Sequence, residues 1–186
     1  MFYKIALFLH VTGALMLFSS IVIEWLTIIN IRKASILENI KTSIFNYSKL
    51  AVIGPISIYL ILIPGIYMMA VVWKNASWII IAFIGMILLA IIGGAITRRK
   101  MKVINKIVSN QNNVSGELRS LLNNNSLILS LKIRTAVFLG IIYLMTVKPS
   151  LTGSIVTLIV SVILGYIPLK TKANTSEVLK AEQKTN

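Results

Sequence analysis

The first long apolar run of the chain contains the two side chains best suited to chemistry, His10 and Glu24. His10 is the only His in the sequence, and Glu24 is the only carboxylate inside an apolar run. An imidazole can bind copper or haem iron, whereas a carboxylate inside a membrane pairs with a cation or relays protons. The two residues are roughly 21 Å apart along a helix, because each residue adds about 1.5 Å. They therefore belong to separate candidate sites.

Both residues lie on one face of the predicted first helix, which carries mostly small or polar side chains. At steps of three and four residues, this face contains His10, Gly13, Leu17, Ser20, Glu24 and Thr27. A face of this kind should turn toward neighbouring helices and away from lipid.

Glu24 has a natural partner in Arg134, which begins the fourth apolar run at a similar predicted depth. Charges inside a membrane usually pair with one another. The sequence therefore predicts a Glu24–Arg134 ion pair that docks the first helix on the fourth. The alternative is a proton or cation relay through Glu24, as in a proton-coupled small transporter.

Three methionines, Met68, Met69 and Met145, should lie at about the same depth as His10. Thioethers suit soft copper, and imidazole is a common ligand of both copper and haem. These four residues are a candidate haem or copper site. Alternatively, the methionines fill apolar packing, His10 forms a hydrogen bond within the bundle, and the chain holds no cofactor.

The second apolar run contains Gly54-Pro55 and Pro64-Gly65. Proline lacks an amide hydrogen and clashes with the carbonyl one turn earlier, so kinks are expected at Pro55 and Pro64. The carbonyl groups freed would be those of Ala51 and Leu60. Interrupted helices line substrate sites in transporters, but prolines also occur simply as kinks in membrane helices.

The elements that position these residues are five apolar runs in a chain that is 56% apolar and only 13% charged. The runs span about 5–29, 50–72, 78–97, 131–147 and 151–169, long enough to cross a bilayer. The sequence predicts an all-α, polytopic membrane helical bundle with five transmembrane helices. It would form a single integral membrane domain over residues 1–170, followed by a polar cytoplasmic tail over 171–186. Because cysteine is absent, disulfides, thiolate metal sites and iron–sulfur clusters are excluded.

Basic residues alternate strongly between the polar segments. Sixteen of the 19 Lys and Arg residues fall in alternate segments, and only Lys4, Lys74 and Lys148 fall in the others. Cytoplasmic loops retain Lys and Arg, so the N-terminus should face out and the C-terminus in. The net charge of +14 thus indicates orientation on anionic lipid rather than a nucleic-acid partner.

Both basic inner loops show helical apolar spacing. Ile36, Ile40 and Ile44 recur every four residues in 30–49, and Met101, Ile104 and Val108 oppose basic residues in 98–130. The second pattern predicts an amphipathic basic helix resting on anionic headgroups.

Several short motifs together carry a family resemblance over roughly residues 3–150. They are Leu9-His10-Val11-Thr12-Gly13-Ala14, Pro64-Gly65-Ile66-Tyr67, Trp78, Arg98-Arg99 and the segment from Tyr143 to Pro149. The series resembles a bacterial family of small predicted integral membrane proteins of unknown function, which implies a multi-pass protein of the cytoplasmic membrane. The Leu-His-x-x-Gly element alone is also similar to the start of proteins resembling copper resistance protein D and haem-dependent membrane protoporphyrinogen oxidase. There the His is expected to bind a cofactor; this chain lacks their further membrane His residues.

The sequence contains no Walker loop, metalloprotease motif, nucleophile elbow or dinucleotide fingerprint. It favours a membrane protein without an enzymatic centre, acting as a transport-associated, binding or assembly component. The alternatives are a haem- or copper-binding redox protein centred on His10 and the proton-coupled transporter using Glu24. Small residues at three- to four-residue spacing in the fifth run would also permit a homodimer.

Overall fold

The computed structural model describes residues 1–74, 76–110 and 115–167, and over these ranges the chain is helical without any strand. The helices are α1 (Phe2–Lys33), α2 (Leu37–Leu50), α3 (Ile53–Met68), α4 (Ser77–Ile92), α5 (Arg99–Ser109), α6 (Gly116–Leu122), α7 (Asn125–Val147) and α8 (Leu151–Tyr166). Two π-helical segments, Met69–Trp73 and Gly93–Arg98, extend α3 and join α4 to α5. The predicted all-helical class is confirmed, while the predicted tail over 171–186 lies outside the described residues.

Four helical stretches are long and apolar enough to cross a membrane. They are Phe2–Lys33, Leu37–Trp73, Ser77–Ser109 and Leu118–Val147. The fifth predicted span corresponds to α8, which is apolar but has 16 residues and a length of about 24 Å. Large apolar side chains such as Phe8, Leu15, Ile63 and Ile159 are exposed along the helices, as a lipid-facing surface requires. The chain therefore has the architecture of a multi-pass membrane protein.

Neighbouring long helices meet in close contacts at small residues. Gly13 of α1 lies against Leu60 of α3, where a Cβ atom would come within 2.9 Å of the Leu60 carbonyl carbon. On α7, Ile141 faces Gly85 of α4, and the Ile133 backbone faces Gly165 of α8. Because these positions lack a large side chain, the helices pack at short separation.

The bundle has two ends, which differ in charge. At the His10 end lie His10 and the α3–α4 and α7–α8 turns, with Lys74 and Lys148. At the basic end lie α2, α5 and α6, together with every described Lys and Arg residue except Lys4, Lys74 and Lys148. The uneven charge along the sequence thus becomes an uneven charge between the two ends.

The basic end has a hydrophobic core of its own. Its fully buried members include Ile31, Ile40, Ile104, Leu118 and Leu131, contributed by five different helices. The apolar face of α5, including Met101 and Val108, is therefore buried by protein and not laid on headgroups. The reason is that α5 packs against both α2 and α6, so that its apolar face is covered by other helices. The basic face of α5 is the one turned outward.

Arginine side chains tie the turns of the basic end together. Arg32 Nε donates to the Leu122 carbonyl at 2.9 Å, and Arg32 Nη2 donates to the Asn124 carbonyl at 2.8 Å. Arg119 Nη1 donates to the Ala34 carbonyl at 2.7 Å. Arg32 and Arg119 thus donate hydrogen bonds to carbonyl groups at or next to helix ends.

The two prolines of the second run occupy different positions in α3. The helix begins at Ile53 after a turn at Ala51 and Val52, so Pro55 lies in its first turn, where no amide hydrogen is needed. Where a kink was predicted at Pro55, the structure therefore has the start of a new helix. Pro64 lies inside the helix. The Ala51 carbonyl, which Pro55 was expected to free, accepts a hydrogen bond from Arg98 Nη2 at 3.0 Å.

Candidate functional site

A cavity of about 600 Å³ opens at the His10 end between α1, α3, α4 and the end of α7. His10, Met68, Met69 and Met145, the four residues grouped as a candidate site from the sequence, all line it. Most of the remaining lining is aliphatic or aromatic. The helices thus bring together one imidazole and several thioethers in an apolar environment.

The imidazole of His10 is held in one orientation by α3. Its Nδ1 atom lies 2.8 Å from the Ile61 carbonyl oxygen. Because a carbonyl oxygen can only accept, Nδ1 carries the hydrogen, and Nε2 of the neutral ring has a free lone pair. The carbonyl that Pro64 was expected to free is that of Leu60. The bond from His10 goes to the carbonyl of the next residue, Ile61.

Gly65 provides the space that the ring needs. A Cβ atom there would lie 3.2 Å from both Cε1 and Nδ1 of His10. The Pro64-Gly65 pair therefore places a helix backbone without a side chain against the imidazole, and an added Cβ atom at Gly65 would press on the ring.

One face of α4 supplies the lining that the sequence did not reveal. Trp78, Ala82 and Met86 follow at four-residue steps, and all three are buried and line the cavity. This spacing was visible in the sequence, but nothing there distinguished it from ordinary core packing. Met86 raises the number of thioethers around the cavity to four.

Aromatic rings and one cation enclose the cavity near the helix ends. The Trp73 and Trp78 rings meet edge to face with centroids 5.4 Å apart. Lys148 Nζ lies 4.2 Å from the Trp73 ring centroid, within the range of a cation–π contact. The α3–α4 and α7–α8 turns are thereby joined over the cavity.

The second candidate site lies toward the basic end of the bundle, where Arg134 Nη1 donates to Glu24 Oε2. Both residues are buried, with 6% and 8% of their surface exposed. Next to this pair, Trp25 Nε1 donates to Thr135 Oγ1 at 3.0 Å. Two adjacent polar contacts therefore join α1 to α7, and the Glu24 carboxylate is already occupied by a cation.

Space for the Arg134 side chain is provided by Gly93 in the π-helical segment. A Cβ atom at Gly93 would come within 3.1 Å of the guanidinium carbon of Arg134. Arg134 Nε has no hydrogen-bond partner among the described residues. The ion pair and the His10 cavity are separate, as the positions of Glu24 and His10 on α1 require.

The donor types restrict the chemistry available. Within 1–74, 76–110 and 115–167, no three His, Cys, Asp or Glu side chains come close enough to hold a metal together. The cavity offers instead one imidazole nitrogen and four thioethers, which are soft or neutral donors. Such an arrangement can bind an apolar molecule or a soft cation.

Comparisons with protein families, with curated proteins and with solved structures find no match to the chain. Its function is therefore inferred from its own residues and their geometry.

Proposed function

We propose that this chain is a non-enzymatic membrane binding protein that holds a lipophilic small molecule in the His10 cavity. The observation that carries the proposal is the cavity itself, about 600 Å³ in volume and mostly apolar. Ligand sites typically have volumes of roughly 300–1,000 Å³, with an apolar lining and few polar groups that fix orientation. Here His10 is the oriented polar group.

The hydrogen bond to Ile61 also indicates the head group of the ligand. With Nδ1 donating to the carbonyl, Nε2 is an acceptor. It would therefore pair with the hydroxyl of a lipophilic alcohol or phenol, while the chain or ring lies among Met68, Met86 and Trp78.

Tryptophan fluorescence provides a direct test. Trp73 and Trp78 line the cavity, and the third tryptophan, Trp25, bonds Thr135 elsewhere. In a Trp25→Phe background, a long-chain alkanol brominated along its chain should quench the emission in a saturable manner. A brominated alkane of the same length, which lacks the hydroxyl, should bind more weakly.

Two substitutions on α1 provide a matched control. Val11 lines the cavity and Leu15 does not, yet both are exposed apolar residues one turn apart. Val11→Phe should weaken saturable quenching by narrowing the cavity, whereas Leu15→Phe should leave it unchanged. Linear, non-saturable quenching that is equal in all variants would contradict the proposal.

For the membrane arrangement, we propose five spans, with α8 as the fifth, in the cytoplasmic membrane of a bacterium. The N-terminus would face out, because the end of the bundle with few basic residues should be the outer one. The motif resemblance to small bacterial membrane proteins supports the bacterial cytoplasmic membrane as the location. The His10 cavity would then lie in the outer half of the bilayer.

A soft metal is a second candidate ligand, favoured by one feature of the site. Histidines that bind metals usually donate their other ring hydrogen to a carbonyl or carboxylate, as His10 does to Ile61. His10 and the four methionines would together suit Cu(I). Copper and iron analysis of the purified protein, with an absorption spectrum before and after dithionite, tests this candidate. Metal or haem that is lost in His10→Ala supports it, and a colourless, metal-free protein that does not take up Cu(I) contradicts it.

A further inference from the structure

A second cavity, of about 350 Å³, lies at the basic end between the α2–α3 turn and α5. The polar residues that line it are Tyr47, Ser48, Arg98, Lys102 and Asn105. Each of these side chains can donate a hydrogen bond, and no acidic residue is among the described lining. The cavity is therefore suited to an anion.

Two cations are held on the same side of this cavity. Arg98 and Lys102 are four residues apart, so they lie one above the other on the continuous helix that enters α5. The bond from Arg98 Nη2 to the Ala51 carbonyl holds the guanidinium across to the α2–α3 turn. This bond uses one of five N–H donors, and the others remain available for a ligand.

The buried ring of Tyr47, from α2, also lines this cavity. Only 5% of the residue is exposed, and its hydroxyl has no hydrogen-bond partner among the described residues. The hydroxyl oxygen is itself closed off from the cavity, so the site is lined by the ring of Tyr47 and not by its hydroxyl.

The depth of the cavity indicates what kind of anion it receives. Ala51 and Val52 directly precede the apolar helix α3, and Arg98 ends the apolar stretch that begins with α4. The cavity therefore lies where the apolar helices leave the bilayer core, at the level of lipid headgroups. Val52, which is half-exposed, also lines it and can contact an acyl chain.

We propose that this cavity binds the phosphate group of an anionic phospholipid, with Arg98 and Lys102 contacting the phosphate oxygens. The charge at the basic end would then recognise one lipid molecule at a defined site, in addition to attracting the membrane surface. The proposal is independent of any ligand in the His10 cavity.

The test measures binding of a fluorescent short-chain phosphatidylglycerol to the full chain in uncharged detergent. Unlabelled phosphatidylglycerol should displace the probe, whereas phosphatidylcholine and inorganic phosphate should not. Lys102→Gln should weaken binding about fivefold, the effect expected for one basic residue near a membrane anion. Lys106→Gln removes the same charge from the same helix outside the cavity and should change affinity less than twofold.

Equal losses in Lys102→Gln and Lys106→Gln would show a diffuse basic surface and overturn the proposal. Displacement by inorganic phosphate at similar concentration would also overturn it, by showing a site for soluble phosphate.

Discussion

The Glu24–Arg134 pair is the most constrained contact at the residue scale. Both charges are buried between α1 and α7. Breaking such a pair leaves the remaining charge without a partner in an apolar environment, which is more costly than never burying either charge. The pair therefore fixes how α1 sits on α7.

A double-mutant cycle measures this coupling. Glu24→Gln and Arg134→Gln should each lower the free energy of unfolding by about 3 kcal/mol, because each leaves one charge unpaired. The double variant should lose much less than the sum, as followed by unfolding in detergent. Additive losses would show that the two residues act independently.

Two neighbouring glycines provide a second test of the same pair. Gly93→Ala should destabilise the protein, because the new methyl group would press on the Arg134 guanidinium. Gly94 has nothing within 4 Å of an added Cβ atom, so Gly94→Ala should be neutral or stabilising by up to about 1 kcal/mol. Equal thermal shifts in the two variants would indicate that Arg134 is not packed on Gly93.

The sequence contained enough information to suggest this ion pair but not the whole His10 cavity. Charged residues are so rare in the apolar runs that Glu24 had one obvious partner. Met86 could not be assigned in the same way, because a methionine in an apolar helix has the same local pattern whether it lines a cavity or fills a core.

At the scale of elements, the turns at the His10 end are built alike. Each turn begins with a lysine in the left-handed conformation. Lys74, at φ 36°, ends the π-helical segment after α3, and Lys148, at φ 52°, ends α7. This conformation is unfavourable for a residue with a Cβ atom and usually belongs to glycine. Lys148 is also held by its contact with Trp73.

Replacing these lysines should have different effects. Lys74→Gly should raise the free energy of unfolding by about 1 kcal/mol, because glycine adopts the left-handed conformation without strain. Lys148→Gly relieves the same strain but loses the cation–π contact, so its gain should be smaller. Thermal unfolding of both variants provides the comparison, and a loss of stability in Lys74→Gly would contradict this account.

The apolar spacing in the two basic loops predicted helices, and α2 and α5 occupy those segments. It could not predict what covers their apolar faces. A basic amphipathic helix has the same pattern on a membrane surface as on another helix, and only the fold shows that α5 packs against α2 and α6.

At the scale of the whole molecule, the proposed orientation can be tested by cysteine labelling, since the chain has no cysteine of its own. Ser150→Cys lies at the His10 end and Asn110→Cys at the basic end. On intact cells an impermeant maleimide should label Ser150→Cys only, because basic loops remain in the cytoplasm. Labelling of Asn110→Cys alone would reverse the orientation.

The proposed function requires a lipophilic molecule in the cavity at the His10 end. The most direct measurement is mass spectrometry of organic extracts from the protein purified in mild detergent, comparing the parent with Val11→Phe and Leu15→Phe. One lipophilic species should accompany the parent and Leu15→Phe in near-stoichiometric amount and be reduced in Val11→Phe. An identical mixture of lipids from all three folded proteins would contradict the account.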